Sequence, residues 1–245
     1  MEKEKKLREA VESLGIELNS EKCGQLIRYY EMLVEKNKVM NLTAITEFDE
    51  VVIKHFADSA ALVKVFDLEG KNLKLLDLGT GAGFPGIPLK ILFPGLQIVL
   101  LDSLNKRINF LKEVIEELSL TGIEAIHGRA EEFGRKEGFR ESFDLCVSRA
   151  VANLATLSEY CIPYVKIGGY FIPYKSGNID EELTASEKAV KILGGSIEKV
   201  EEFELPGSDI RRSFVKIKKI GKNKAKISQN GRKAIKGADK IKEYV

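Results

Sequence analysis

Apolar residues recur along this chain with two different periods, and the change falls near Gly70. Before it, Leu7, Ala10, Val11 and Leu14 keep helical spacing until Gly15 stops the run. Ser20-Glu21-Lys22-Cys23 can cap a second helix, with an apolar stripe of Leu26, Ile27, Tyr30, Leu33 and Val34. Residues 41–46 read as a polar connection, and a third helix is predicted over about 47–66. Residues 1–66 are therefore expected to form an N-terminal helical segment packed on the larger domain C-terminal to it.

After Gly70 the pattern becomes short apolar runs separated by amphipathic stretches. Residues 73–78, 97–102, 123–126, 143–147 and 169–173 read as buried strands. Helices are predicted between and after them, over 85–93, 105–118, 153–165 and 180–193. Two late strands, 197–203 and 213–217, meet through Pro206-Gly207 as a hairpin, which inserts one antiparallel strand. Strands alternating with helices predict an α/β domain over 67–220, with a mainly parallel seven-stranded sheet covered on both faces. This is the Rossmann-like architecture. No internal repeat is present.

Composition adds little until the charges are mapped. An apolar fraction of 44% and a charged fraction of 31% suit a packed, soluble protein. No run is long enough to cross a bilayer, and the charged start Met1-Glu2-Lys3-Glu4 lacks a signal-peptide core, so a cytoplasmic protein is expected. Cys23, Cys146 and Cys161 are scattered, and with His55 and His127 far apart no metal site is expected. Net charge is +2, but residues 216–245 hold eleven Lys/Arg against two Asp/Glu, a local +9 on a body of −7. A basic tail on an acidic body suits an anionic partner such as nucleic acid, or simply a solvated segment. From 221 to 245 it is expected to be poorly ordered.

The chemistry concentrates in Asp77-Leu78-Gly79-Thr80-Gly81-Ala82-Gly83, where a strand ends and a helix begins. Glycines there let a ligand approach the backbone closely. A dinucleotide fingerprint needs G-x-G-x-x-G, but three residues beyond Gly81 stands Phe84. Asp77 adds a carboxylate, awkward beside a pyrophosphate and favourable beside a cation. S-adenosylmethionine, with a sulfonium and an ammonium and no phosphate, fits that loop. Asp102 ends the next strand and can accept both ribose hydroxyls, or else cap the following helix. Gly128-Arg129-Ala130-Glu131 follows the third strand, where Ala130 and Glu131 face the place an adenine edge would occupy, or merely cap a loop.

These segments resemble the bacterial small-subunit ribosomal RNA guanine-N7 methyltransferase family (RsmG, or glucose-inhibited division protein B). The resemblance covers roughly 20–220. It rests on Met40-Asn41-Leu42-Thr43-Ala44-Ile45, His55-Phe56-Ala57-Asp58-Ser59, residues 76–89, Gly128-Arg129-Ala130-Glu131-Glu132, Ser148-Arg149-Ala150-Val151-Ala152 and Arg211-Arg212. It implies a class I S-adenosylmethionine-dependent fold and methylation of N7 of one guanine in 16S rRNA, with the rRNA or small subunit as partner; separately, a monomer is expected. It also implies that Gly79, Phe84, Ala130, Glu131 and Arg149 contact the methyl donor. The family usually ends in a basic segment rich in proline and glycine, whereas 222–245 is basic and proline-free.

Guanine N7 has a lone pair and no proton, so methyl transfer to it needs no general base, and none is assigned. Alignment of the reactants is expected to dominate, worth up to roughly 7–11 kcal/mol. Arg149 can hold the donor's carboxylate, stack near the base, or form a salt bridge. On the substrate side the candidates are His55 and Asp58, as a local hydrogen-bonded pair or as cleft lining, and Lys175, Arg211 and Arg212, toward RNA phosphate or simply as a solvated lysine and a basic strand surface. Ser148-Arg149-Ala150 replaces the Asn-Pro-Pro-Tyr type motif of exocyclic-amine enzymes, and no cysteine follows a proline as carbon-5 methylation requires. The alternatives are a methyltransferase acting on another RNA, a protein or a small molecule, and a nonenzymatic ribosome-binding module with a vestigial fold.

Overall fold

The computed structural model describes residues 2–150 and 152–222, so nearly all of the basic tail lies outside the described residues. Helix α1 (Glu2–Glu12) buries Leu7, Ala10 and Val11, and α2 (Ser20–Met40) starts where Asn19 accepts a hydrogen bond from Lys22 N. The buried stripe of α2 is Cys23, Leu26, Tyr29 and Leu33. Tyr29 rather than Tyr30 therefore faces inward, with Ile27, Tyr30 and Val34 only half-buried at the margin.

The third helix is not one helix. It runs as α3 (Phe48–Val51), a π-helical turn (Val52–Ala57), α4 (Asp58–Ala60) and a 3-10 turn (Ala61–Lys64). Ser59 Oγ donates to His55 O at 2.6 Å, a side-chain bond to the preceding turn of the kind that disturbs regular helix geometry. The segment also buries polar groups, His55, Asp58 and Ser59, that answer to partners elsewhere in the fold.

The remaining elements are β1 (Lys74–Leu78), α5 (Gly86–Leu92), β2 (Gln97–Asp102), α6 (Asn105–Glu117), β3 (Ile123–His127), α7 (Ala130–Phe133), β4 (Phe143–Ser148), α8 (Leu154–Cys161), β5 (Val165–Ser176), α9 (Asp180–Ile192), β6 (Gly195–Glu204) and β7 (Arg211–Lys219). They form one seven-stranded sheet in the order β3-β2-β1-β4-β5-β7-β6. Only β7 runs against its neighbours β5 and β6, so the hairpin inserts one antiparallel strand as its sequence predicts. The single turn α7 has no counterpart among the predicted helices, and the helix predicted over 153–165 ends at Cys161 in a 3-10 turn carrying Pro163.

Strand β5 is longer than its apolar run. Pro173, which has no N–H to donate, pairs with Ser148 where the β4 ladder ends. The chain then continues through Tyr174, Lys175 and Ser176 on β7 alone, carrying the strand three residues past the expected stop.

Alternate strand residues divide between two cores. Leu75, Ile98, Leu100, Leu145, Val147 and Ile172 join the N-terminal helices, α5 and α6 on one face. Leu76, Leu78, Val99, Leu101, Cys146 and Phe171 join α8 and α9 on the other. The N-terminal segment thus supplies one wall of the main core. Among the described residues no helix is long and apolar enough to cross a membrane.

Candidate functional site

The parallel strands β4, β1, β2 and β3 all end at one edge of the sheet, where open α/β sheets bind ligands. Register alone brings together the residues at their ends: Asp77 lies level with Leu100 and Val147, and Asp102 with His127. Four separated stretches of sequence therefore meet at one crevice.

Asp77 is fully buried at the end of β1. Its Oδ2 accepts from Thr80 Oγ1 at 2.7 Å and Gly86 N at 2.9 Å, tying the glycine loop back onto the strand. Its Oδ1 is buried without a hydrogen-bond partner. Burial pushes the Asp77 carboxyl up to about 7, against the lowering by Thr80, Gly86 and Arg149. A buried carboxylate oxygen with nothing bound to it is a ready acceptor for a cation.

The loop itself needs its glycines. Gly83 has φ 108°, and a Cβ there would lie 2.7–2.8 Å from Ile87, Tyr29 Oη and Leu111. Gly79 and Gly81 also take positive φ, and around Gly81 a Cβ would meet nothing within 4 Å, so that side of the loop is open. Gly81 N donates to Asp102 Oδ2 at 3.0 Å. Asp102 Oδ1 accepts from Leu104 N at 2.9 Å, and Arg107 Nη1 sits 3.5 Å from Oδ2. Asp102 therefore caps the turn into α6 and braces the loop; Oδ2 has two donors, while Oδ1, with one, keeps a second lone pair. Beyond β3, Gly128 N is held by Asp102 O, and Ala130 and Glu131 open α7, half-buried beside the crevice. Tyr164 Oη donates to Ala130 O at 2.6 Å and fixes that turn.

Phe84 turns its ring inward. It stacks on His55 at 4.3 Å between centroids and packs with Tyr29 and Phe56. Tyr29 Oη donates to Ala82 O at 2.5 Å, so α2 grips the loop from below. Neither Tyr29 nor Thr80 stands out in the sequence, because a buried tyrosine on an apolar stripe and a threonine in a turn are ordinary.

Arg149, just past β4, connects this crevice to a second group. Its guanidinium lies over the Phe84 ring at 5.5 Å, its Nη2 is 3.1 Å from His55 Nδ1, and its Nη1 is 3.0 Å from Asp58 Oδ2. That last contact is an ion pair outside hydrogen-bonding alignment, which leaves Nη1 without a hydrogen-bond partner. A guanidinium has no lone pair, so His55 Nδ1 must accept, and Nε2 then donates to Thr43 Oγ1 at 3.1 Å. The Lys54 carbonyl, also 3.1 Å from Nδ1, suits the opposite tautomer, which the cation disfavours. Burial, and then Arg149, depress the His55 imidazole to about 3, so it is neutral at physiological pH.

Asp58 holds Arg149 with one oxygen and Arg212 Nε with the other, at 2.8 Å. Its partners are these arginines, not His55. The two join Lys175 around a cleft of about 600 Å³, also lined by Ala150, Asn153, Tyr174, Ser176 and Glu182. Lys175 Nζ donates to Ala152 O and Glu182 Oε1, both at 2.8 Å. Arg211 points away, exposed and 3.6 Å from Glu204. Adjacent strand residues face opposite sides, so only one arginine of the pair can reach the cleft. Cys146 and Cys161 are both buried and adjacent, and burial also pushes the Cys146 thiol well up, so neither is presented as a nucleophile. Among the described residues no cluster of three or more His, Cys, Asp or Glu could hold a metal ion.

A family model described as rRNA small subunit methyltransferase G matches residues 22–215. The chain is 53% identical over 228 residues to a ribosomal RNA small subunit methyltransferase G of Lachnoclostridium phytofermentans, covering 93% of this chain and 94% of that protein. With the protein of the same name from Acetivibrio thermocellus it shares 48% identity over 239 residues, 96% and 98% of the two chains. Among solved structures it resembles a SAM-dependent methyltransferase from Aquifex aeolicus (TM-score 0.52, 16% identity, 75% of this chain and 97% of that one). It also resembles M. jannaschii TYW2 in complex with AdoMet (TM-score 0.51, 14% identity, 62% and 72%). At such identities the structural likeness carries the fold alone, which is that of the class I methyltransferases.

Proposed function

The chain belongs to the rRNA small subunit methyltransferase G family, and from that premise we propose that it moves a methyl group from S-adenosylmethionine to N7 of a guanine in 16S ribosomal RNA. Methyl transfer to small-subunit rRNA follows from the family; the donor, the atom and the residue roles are this reading. The observation that carries the donor is Asp77, whose buried, partnerless Oδ1 lies at a glycine loop with an open side. An anionic cofactor would meet that carboxylate unfavourably, and a cationic one favourably.

Asp77 is assigned to the donor's ammonium, Gly79, Gly81 and Gly83 to close backbone approach, and Asp102 to the ribose hydroxyls. Ala130 and Glu131 take the adenine edge, while the Phe84 ring, stacked on His55, stiffens the loop rather than touching solvent. Once bound, the donor supplies an electrophilic sulfonium methyl. The chain's own contribution is then alignment. Arg149 is fixed from three sides, by Asp58, His55 and Phe84, at the passage from crevice to cleft. A side chain held that firmly places its guanidinium without further ordering cost when donor and base arrive. No proton has to leave N7, and the groups of the cleft match: Asp58 is paired with two arginines, Glu182 with a lysine, and His55 is neutral. The +1 left by Asp58 and its two arginines suits a strand of RNA entering beside it.

The test is transfer from methyl-labelled donor to undermethylated 30S subunits, free 16S rRNA and hairpin mimics, followed by nucleoside analysis. Label recovered as N7-methylguanosine is expected. Label in another nucleoside, or in none of the three substrates, contradicts the reading.

A further inference from the structure

We infer that Glu182 reads the Watson–Crick edge of the acceptor base and so sets guanine over adenine; this rests on the preceding reading that guanine N7 is the acceptor. The carboxylates of the cleft differ in what they have left to offer a base. Asp58 is buried, with an arginine against each oxygen. Glu182, near the start of α9, is differently placed. Both of its hydrogen bonds fall on Oε1, from Leu154 N at 2.5 Å and Lys175 Nζ at 2.8 Å. No hydrogen bond among the described residues falls on Oε2, although the residue lines the cleft and its side chain is 23% exposed. Glu182 is thus a carboxylate with one oxygen anchored at the start of α8 and the other free.

The chemistry of the base matches that free oxygen. A guanine that presents N7 to a methyl donor points its N7 and O6 edge at the glycine loop. Its opposite edge carries N1–H and the 2-amino group, which are donors and match a carboxylate. Adenine has a bare N1 and a C–H there, and gives a carboxylate nothing. The cleft has the corresponding ends: Ala150 lies beside the loop, 3.8 Å from where a Gly79 Cβ would stand, and α9 brings Glu182 in from beyond β5. Lys175, held by Ala152 O and Glu182, fixes the carboxylate on that wall. Single-stranded bases are commonly read this way, by hydrogen bonds to an edge in a preformed pocket.

The rival explanation is that Glu182 only ties α8 to α9. The two separate on a substrate whose target guanine is replaced by inosine, which keeps N7, O6 and N1–H and lacks only the 2-amino group. The expected result for the full-length protein is a loss of kcat/KM on inosine of about tenfold to a hundredfold, the range for one hydrogen bond to a charged group. Glu182→Gln keeps an oxygen for Leu154 N and puts an amide where the free oxygen stood. It should lower kcat/KM on guanine by a similar factor and bring guanine and inosine close to parity, with donor affinity by calorimetry unchanged. Equal rates of the wild-type protein on guanine and inosine overturn the inference, as does a Glu182→Gln protein that keeps the wild-type ratio. Equal wild-type rates overturn the inference even if the variant does not fold. Absence of any N7 methylation on the guanine substrate is a separate outcome, which overturns the proposed function and this inference with it.

Discussion

At the scale of single residues, Asp77 and His55 carry the sharpest consequences. The Asp77 carboxyl stands near 7, so a cationic donor at the proposed site displaces a proton on binding below that pH. Donor affinity is expected to rise with pH up to about 7 and then level off, falling by up to about tenfold per unit below it. Asp77→Asn should abolish that slope and weaken binding, and calorimetry in buffers of different ionisation heat would show the proton release disappear. A pH-independent affinity between about 5.5 and 8 would remove Asp77 from the donor site. Stability behaves differently. Asp77 is raised from 3.8 to about 7, so stability falls as pH rises between those values. His55 is lowered from 6.5 to about 3, so its contribution rises with pH over nearly the same window. The two offset each other, and His55→Gln should expose the Asp77 slope in thermal midpoints. Asp58→Ala tests the ion network: it strands two arginines that are about 20% exposed. The expected loss is somewhat below the roughly 3–5 kcal/mol of a fully buried pair, read by denaturant unfolding, together with a fall in methylation rate.

At the scale of elements, the glycine loop depends on α2 and on the broken third helix as much as on its own strand. Tyr29 Oη is the hydrogen-bond donor to Ala82 O, and Tyr29, His55 and Phe56 surround Phe84. Tyr29→Phe leaves that buried carbonyl without its partner and should cost about 1–3 kcal/mol, with donor affinity falling in parallel while RNA binding by filter retention is kept. If only stability changes, the α2 contact is scaffolding and no more. These elements also show what a sequence conveys. Strands are legible because short apolar runs separated by amphipathic stretches have few other meanings, and Asp77 and Asp102 are legible as candidates because each is a carboxylate at or next to the end of such a run. The phase of a 21-residue helix is less so, and the inward tyrosine of α2 is Tyr29, not Tyr30. The break at the π-helical turn follows from Ser59 and from partners 90 and more residues away, Arg149 and Arg212, which no local pattern encodes. Pro173 reads as a strand end because the second neighbour that carries β5 onward, β7, lies some forty residues later in the chain. Glu182 reads as an ordinary acidic residue in the first turn of a helix, since its anchor at Leu154 N exists only in the folded chain.

At the scale of the molecule, the N-terminal helices and one face of the sheet share a single core, so residues 67–222 are not expected to stand alone. The donor-free protein should unfold in one cooperative transition, with a fluorescent label on the exposed face of α2 and far-ultraviolet circular dichroism coincident. Two separated transitions would show that the helical segment docks as an independent unit. The same arrangement joins the separated segments: strand ends gather a crevice around the buried Asp77 carboxyl, and Arg149 connects it to the cleft of about 600 Å³. The most direct test is a nucleoside map of 16S rRNA from cells with and without the protein. One N7-methylguanosine is expected to disappear without it, and to return with the wild-type chain but not with Asp77→Asn. An unchanged N7-methylguanosine content in the cells that lack the protein would contradict the assignment.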